Sequence, residues 1–436
     1  MSAGAAKGIP REHEGLNNIM RKWSRQIFAF SVYCLLAGNF QIAVLASETE
    51  ILHSGRKWSG RTVRLLISES LRRQSTAIKA GTDFDAAAES AAITWENAAD
   101  IDLDFADSSL ENISNSRSGG DGSSLITVAA TSENLALFPQ LERSAPAYTR
   151  LFFDRRGAIV EADIVLNPYL QFSSDGTAGT FDLQSVLTHE FGHVIGLAHS
   201  PVASATMFGR LSPNLERSAK GIENRTLALA DVSAARAVYG PSGGATECCA
   251  AVLGTLSGPI GTSGVVWVEE AGSGRLVAAS ELGDGSFDLA GFAPGKYRLF
   301  AQGARSRGAS QIFERDLDLP TSVRRTVAAA PIDAEIKYIG INGELGALSV
   351  NVTRGDSHQI YIGGTGLDRS KLTFGVSGLH VSVSEGSVLP MNYGRGISVV
   401  VLTIVVGPDI PAGEYSVFAE AANGARSYLL GAISVD

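Results

Sequence analysis

The pattern of apolar and polar positions divides the chain into an N-terminal part that mixes helix and strand and a C-terminal part made of strands. Apolar positions return at helical spacing over residues 83–98, which predicts an amphipathic helix. The apolar face of this helix comprises Phe84, Ala87, Ala88, Ala91 and Trp95. Strands are predicted at residues 62–68, 101–106, 125–130, 148–153 and 159–166. Residues 108–124 are rich in Ser, Gly and Asn and are predicted to form a loop.

The pattern changes after Gly240. Residues 243–249 are interpreted as a linker, and short alternating strands with glycine turns follow, which predicts an all-β region. We divide this region into a first β unit (residues 250–331) and a second β unit (residues 332–436). The apolar run at 397–406 is too short to span a membrane and rich in valine, so we expect a buried strand.

Composition agrees with several folded domains. The chain has 436 residues, of which 44% are hydrophobic and 19% charged, so two or three globular domains are expected. The net charge of −9 argues against a general nucleic-acid binder, which needs a basic surface. The adjacent Cys248 and Cys249 are interpreted as a thiol pair, an intermolecular link or incidental linker residues, because neighbouring cysteines rarely bridge each other.

Residues 1–46 are predicted to be an N-terminal extension followed by a signal peptide. Arg21, Lys22 and Arg25 precede an apolar core at 27–38, and the segment ends in small residues at Ala46. The alternative is a membrane anchor, but polar residues interrupt the apolar run before it reaches the roughly 20 residues that a span needs. We therefore expect a secreted, periplasmic or cell-surface protein with no stable membrane span after cleavage.

The densest cluster of reactive side chains lies between His189 and His199. On a helix, His189 and His193 lie one turn apart on the same face, where both can bind one metal ion. Gly196 can adopt the positive φ that ends a helix abruptly, and the turn brings His199 back as a third ligand. Three neutral nitrogens leave the fourth position of a tetrahedral zinc ion for water, which is typical of a catalytic site.

Glu190 completes the chemistry of this segment. Zinc lowers the pKa of its bound water to about 7 and polarises a nearby carbonyl group. Glu190 would take the proton from the attacking water and pass it to the departing amine. The alternative is an amphipathic core helix whose histidines are satisfied by hydrogen bonds, but the glycine and the third histidine at fixed offsets make coincidence improbable.

The segment from His189 to His199 resembles the extended motif of the metzincin metalloproteases. Residues 204–207 resemble the Met-turn of that family, which implies that Met207 packs beneath the metal. Ser200 and the segment 227–240 resemble the matrixin branch, which includes the matrix metalloproteinases. The resemblance covers residues 50–242 and implies an α+β metzincin domain, in which a mixed twisted sheet packs against a long active-site helix.

The β units carry weaker resemblances. Residues 283–299 resemble the carboxypeptidase-regulatory-like β-sandwich, and the second β unit is generically similar to immunoglobulin domains. These resemblances imply two all-β sandwich domains behind the protease-like domain. Neither unit contains a catalytic constellation, so we expect them to bind substrate, a cell surface or another protein, or to act as spacers.

The chain also departs from the vertebrate matrixins. No histidine lies between His53 and His189, so we expect one catalytic zinc and no structural zinc. A calcium site has no clear motif. Asp163, Asp175 and Asp182 are candidate oxygen ligands, but Asp175 is more simply a solvated loop residue and Asp182 a helix cap.

The substrate site is predicted from neighbouring positions. Val186 precedes His189 by three residues on the same helix face, so it is predicted to line an apolar pocket, with Phe208 in the opposite wall. The strand at 148–153 is predicted to be an exposed edge that holds an extended peptide by main-chain hydrogen bonds. The sequence therefore predicts a secreted zinc endopeptidase acting on proteins or peptides. The alternative is a surface adhesion or binding protein with an inert protease-like domain.

Overall fold

A computed structural model describes most of the chain after residue 55. The described residues are 56–73, 75–138, 145–215, 224–244, 248–257, 263–283, 285–303, 312–318, 323–326, 332–378, 381–385 and 396–436. The predicted signal peptide lies outside them. Within these ranges, no helix is both long enough and apolar enough to cross a membrane.

Residues 56–244, which we call the N-terminal region, combine four helices with a mixed sheet among the described residues. The elements are β1 (Thr62–Ser68), α1 (Phe84–Ala98), β2 (Asp102–Ser108), β3 (Leu125–Thr127), α2 (Ser132–Leu135), β4 (Ala147–Phe153), β5 (Ile159–Leu166), β6 (Phe172–Ser173), β7 (Phe181–Asp182), α3 (Leu183–Val194) and α4 (Leu229–Tyr239). The main sheet has the order β2-β1-β3-β5-β4. Only β4 runs antiparallel to its neighbour, and it lies at an edge, as predicted.

Helix α1 confirms the predicted amphipathic helix. It begins after Asp83, whose carboxylate accepts a hydrogen bond from the backbone N–H of Ala86 at 3.1 Å, a typical N-cap. The five predicted apolar positions are all buried in the main core. Trp95 is fully buried and its indole N–H donates to the carbonyl of Thr188 at 2.7 Å, which fixes α1 against α3. The predicted strand at 125–130 is shorter than expected and ends at Thr127.

The first β unit forms one seven-stranded sheet. Its strands are β8 (Ala250–Ser257), β9 (Ser263–Glu270), β10 (Leu276–Gly283), β11 (Ser286–Phe292), β12 (Lys296–Gly303), β13 (Ile312–Asp318) and β14 (Val323–Thr326). The order is β13-β12-β9-β10-β11-β8-β14, and β10 meets β11 only through the pair of Gly283 and Ser286. The two sheets expected of a β-sandwich are thus joined into one at this hairpin.

The structure also places a disulfide between Cys248 and Cys249, contrary to our expectation for adjacent cysteines.

The second β unit is a sandwich of two four-stranded sheets. Its strands are β15 (Glu335–Ile341), β16 (Val350–Val352), β17 (Ser357–Thr365), β18 (Leu372–Val376), β19 (Val381–Glu385), β20 (Ser398–Val406), β21 (Gly413–Ala421) and β22 (Arg426–Val435). The sheets have the orders β15-β17-β20-β19 and β16-β22-β21-β18, and their apolar faces share one core. The valine-rich run predicted as a buried strand is β20.

Candidate metal centre

Helix α3 begins at a charged cap. Asp182 accepts hydrogen bonds from the backbone N–H of Ser185 at 2.9 Å and from its hydroxyl at 2.8 Å, which confirms the predicted cap. Arg225 also binds this carboxylate, with Nε 2.9 Å from Oδ1, and the ion pair raises the pKa of Arg225. No local sequence pattern points to Arg225, because it lies 43 residues further along the chain.

Helix α3 ends where the sequence predicts, and a glycine makes the turn possible. The helix stops at Val194, and Gly196 has a φ of +93°, a conformation that favours glycine. A Cβ atom at Gly196 would lie 2.8 Å from the carbonyl oxygen of Arg56, so a side chain is also excluded by space. The chain therefore reverses direction here and returns His199 towards the helix.

The three predicted histidine ligands come together. Among the described residues they are the one group of three or more His, Cys, Asp or Glu side chains that can share a metal ion, with their ligand atoms within 4.8 Å of one another. The Nε2 atoms of His193 and His199 lie 3.2 Å apart. A tetrahedral zinc ion with bonds of 2.0–2.1 Å separates two nitrogens by about 3.4 Å, so this spacing suits zinc.

Backbone carbonyls fix the tautomers of the first two ligands. Nδ1 of His189 lies 2.7 Å from the carbonyl oxygen of Thr206, and Nδ1 of His193 lies 2.8 Å from that of Leu197. Because a carbonyl only accepts, each Nδ1 carries the proton and each Nε2 keeps a lone pair for a metal. Burial lowers the pKa of His189 to about 4 and that of His193 well below its ordinary value. Both rings are thus neutral, as metal ligands must be.

Glu190 is oriented by a residue that the sequence analysis did not identify. Its side chain is 3% exposed, and its Oε2 accepts a hydrogen bond from the hydroxyl of Thr149 at 2.6 Å. Thr149 lies on the edge strand β4, 41 residues before Glu190. The sequence predicted that this strand holds the substrate. It did not indicate which side chain of the strand faces the glutamate.

Met207 packs against helix α3, where the Met-turn resemblance placed it. The side chain is 2% exposed and belongs to the core of the N-terminal region. Gly192 makes this contact possible, because a Cβ atom there would clash with the sulfur of Met207 and lie 2.9 Å from Cζ2 of Trp95. The turn is closed by a hydrogen bond from the N–H of Ser200 to the carbonyl of Met207 at 2.7 Å.

A buried carboxylate holds the Met-turn from helix α4. Asp231 accepts hydrogen bonds from the backbone N–H groups of Thr206 at 2.7 Å, Met207 at 3.1 Å and Ala228 at 3.0 Å. Burial raises the pKa of Asp231 to about 6, and the three N–H donors act in the opposite direction. Since the carbonyl of Thr206 also accepts from His189, Asp231 is one residue removed from the metal ligand. Asp231 lies in the segment 227–240 that resembles the matrixin branch, but nothing in the sequence indicated this role.

The predicted pocket residues occupy different environments. Val186 is 1% exposed and packs in the core of the N-terminal region. Phe208 is half-buried beside Ser200, directly after the Met-turn. The assignment of both residues to a substrate pocket stays a prediction.

The three aspartates named as candidate calcium ligands each bond to other groups of the protein. Asp163 is fully buried and accepts from the backbone N–H groups of Ser114 and Leu125, each at 2.9 Å, while burial raises its pKa to about 7. Asp175 is exposed and pairs with Lys79, and Asp182 caps α3. Asp163 thus holds the predicted loop against strand β5.

Comparison with known protein families finds a match in the N-terminal part. The model of the matrixin family matches residues 50–240, which contain the histidine cluster and the Met-turn. Residues 50–240 are similar to matrixins, and we call them the matrixin domain. Matrixins are zinc-binding metalloendopeptidases, and the histidine cluster of this matrixin domain is consistent with a zinc site. The expected family resemblance is confirmed, and the β-rich remainder of the chain is consistent with the expected all-β units, the second of them immunoglobulin-like.

Comparisons with curated proteins and solved structures give no match of high similarity. No curated protein matches the chain significantly. The chain is similar to a Bacteroides ovatus mixed-linkage glucan utilization locus protein, SGBP-B, with 14% identity, a TM-score of 0.17 and coverage of 40% of this chain and 37% of that one. It is also similar to domains 4 and 5 of the S-layer protein SbsC, with 11% identity, a TM-score of 0.12 and coverage of 34% and 68%. The chain thus spans 37% of the length of the glucan utilization protein.

Proposed function

We propose that the protein is a secreted zinc-dependent endopeptidase in which Glu190 acts as general base. One observation carries the proposal: two histidines whose Nδ1 protons are fixed by carbonyls converge with a third histidine, and a buried glutamate follows the first of them. His199 is the exposed member of the cluster, and three protein ligands would leave the fourth position of a bound zinc ion for water.

Each residue of the proposed site has its own role in the reaction. Zinc, when bound by His189, His193 and His199, supplies an electrophile that polarises the scissile carbonyl and acidifies water. Thr149 holds one oxygen of the Glu190 carboxylate, which leaves the carboxylate in a fixed orientation. Glu190 takes a proton from the attacking water and delivers it to the nitrogen of the leaving amine.

The substrate is proposed to be a protein or peptide bound in extended form along β4. Strand β4 lies at the edge of the main sheet, and its residue Thr149 contacts Glu190. An edge strand offers unpaired main-chain groups to an added strand, which binds a peptide largely irrespective of its sequence. Val186 and Phe208 are proposed to contact the side chain that follows the scissile bond.

A glutamine substitution tests the proposed base. Glu190→Gln keeps the size of the side chain but removes the proton acceptor, so we expect at least a hundredfold loss of kcat/KM on a denatured protein substrate, with bound zinc retained. The control is Glu89→Gln, which changes an exposed glutamate of α1 and should leave kcat/KM unchanged. Full activity of Glu190→Gln would remove Glu190 from the mechanism.

Metal removal tests the proposed cofactor. Exhaustive chelation should abolish cleavage, and one equivalent of Zn²⁺ should restore it. The alternative function, a surface adhesion or binding protein with an inert protease-like domain, predicts no cleavage by the zinc-loaded wild-type protein. Undiminished hydrolysis after chelation would contradict a metallopeptidase.

Export is proposed from the sequence alone. The positive flank at Arg21–Arg25 and the apolar core at 27–38 support cleavage after Ala46. N-terminal sequencing of the protein recovered outside the cytoplasm should give a chain that starts shortly after Ala46. A cell-retained protein with residues 27–46 intact would favour the anchor alternative.

A further inference from the structure

Three parts of the chain meet at the Met-turn. They form one buried apolar cluster, which we call the junction. Its members are Val202, Ala205, Ala228 and Ala230 of the matrixin domain, Trp267, Leu276 and Phe300 of the first β unit, and Tyr428 and Leu430 of the second β unit. The β units therefore bury part of their apolar surface against the segment that supports the metal centre.

Aromatic side chains join the two β units at the junction. The ring of Trp267 stacks on Phe300 at 5.2 Å between centroids and meets Tyr428 edge-on at 5.1 Å. The backbone N–H of Tyr428 donates to the side-chain oxygen of Gln302 at 2.9 Å. Aromatic contacts of this geometry stabilise beyond their buried area, so the two units are held together where they touch the matrixin domain.

Strand β22 bonds to the residue that directly precedes the Met-turn. The N–H of Ala203 donates to the carbonyl of Leu430 in β22 at 2.9 Å. The next residue, Gly431, has a φ of +55°, and a Cβ atom there would clash with Val202 and lie 2.6 Å from Oγ of Ser204. Only a glycine allows β22 to approach the turn this closely.

Helix α4, which carries Asp231, is attached to both β units. The hydroxyl of Ser233 donates to the carbonyl of Val277 in β10 at 2.7 Å. At the start of the helix, the N–H of Leu229 points to the carboxylate of Glu414 in β21 at 3.4 Å. The helix that fixes the Met-turn backbone is thus itself fixed by the β units.

These contacts connect the β units to His189 through two links. The β units hold the segment around the Met-turn, and the Thr206 carbonyl of that turn bonds to Nδ1 of His189. We propose that the two β units are structural components of the metal centre: they hold the Met-turn, and through the Thr206 carbonyl they hold His189, in position to bind zinc. Leu430 and Gly431 are then positioning residues. The inference rests on the proposed zinc centre but does not require peptidase activity.

A pair of glycine variants in the full-length protein tests this proposal. Gly431→Ala places a methyl group against the Met-turn, whereas Gly424→Ala adds the same group to a positive-φ glycine that has nothing within 4 Å. The zinc Kd is measured by competition with a chromophoric chelator. We expect Gly431→Ala to weaken zinc binding by about tenfold or more, as loss of a residue that orients a ligand does, and Gly424→Ala to leave it unchanged. Equal zinc affinity in the two folded variants would overturn the proposal.

A measurement on the wild-type protein covers the case in which Gly431→Ala does not fold. Zinc release and hydrogen exchange in β21 and β22 are followed in one urea titration. The proposal expects both to occur over the same urea range. Zinc retained where β21 and β22 exchange freely would overturn it. A wild-type protein that never binds zinc would instead overturn the proposed function, and this inference with it.

Discussion

Among single residues, hydrogen bonds from outside helix α3 orient the side chains of the proposed metal site. Carbonyl oxygens of Thr206 and Leu197 fix the protons of His189 and His193, and the hydroxyl of Thr149 fixes Glu190. Each of these bonds acts on orientation, and a small misplacement of a reacting group lowers the rate strongly. Of these three contacts, only that of Thr149 is made by a side chain, so a substitution can remove it.

Thr149→Val removes the hydroxyl but keeps the β-branched shape. We expect kcat to fall about tenfold with little change in KM, because the glutamate loses the donor that aligns it while peptide binding along β4 is kept. Steady-state kinetics on a peptide substrate measure this, and Thr149→Ser should recover most of the rate. An unchanged kcat for the valine variant would show that the bond has no role in orienting Glu190.

At the scale of elements, the packing of α3 on the Met-turn depends on the absence of one side chain. Gly192 faces Met207 and Trp95, so the helix, the turn and α1 meet at a single point. The glycine weakens the helix itself by up to about 1 kcal/mol relative to alanine. Close packing at this point is the reason it is tolerated.

Gly192→Ala separates these two effects. Helix propensity alone predicts stabilisation, whereas overpacking predicts a loss of about 1–3 kcal/mol in the free energy of unfolding. The contact distances favour the loss. Urea unfolding of Gly192→Ala, Met207→Ala and the double variant should show that the double variant loses less than the sum of the two single losses. A stabilised Gly192→Ala would contradict the packing described here.

At the scale of the whole molecule, the β units enclose ionisable groups where they meet the matrixin domain. Glu414 is 8% exposed and lies beside the start of α4, near Asp231 and Arg275. Burial raises its pKa from 4.5 to about 7. The folded protein therefore binds this proton more tightly than the unfolded chain does, and the contribution of Glu414 to stability falls as pH rises from 4.5 to about 7.

Glu414→Gln removes the ionisable group and with it the pH dependence that this group gives to stability. We expect the free energy of unfolding of the variant, minus that of the wild type, to increase between pH 5 and pH 7.5, by no more than about 3 kcal/mol. Urea unfolding of both metal-free proteins at several pH values measures the difference, and the histidine contributions cancel. Glu89→Gln, on an exposed helix face, is the control for loss of a surface carboxylate. A difference that does not change with pH for Glu414→Gln would show that its raised pKa has no bearing on stability.

Local features of the sequence were sufficient to predict much of the fold and the clustering of His189, His193 and His199. Helical spacing places His189 and His193 on one face, and a glycine at position 196 ends the helix, because both depend only on backbone geometry over a few residues. Helix α1 follows in the same way from apolar periodicity, and β20 from a valine-rich apolar run, whereas the edge position of β4 was implied by the metzincin resemblance. Strand bounds were less accurate where tertiary contacts end a strand, as at Thr127.

The residues that reach the site from distant parts of the chain depend on how the whole chain packs. The hydroxyl of Thr149, the carboxylate of Asp231 and the carbonyl of Leu430 lie far along the chain from the groups they contact, and no periodicity relates them. Their positions depend on how a sheet edge, a helix and a β unit pack, which is set by the sum of many apolar contacts. Short-range geometry in the sequence was therefore enough to name the three histidines of the proposed metal site. The packing of the whole chain determined what holds those histidines in place.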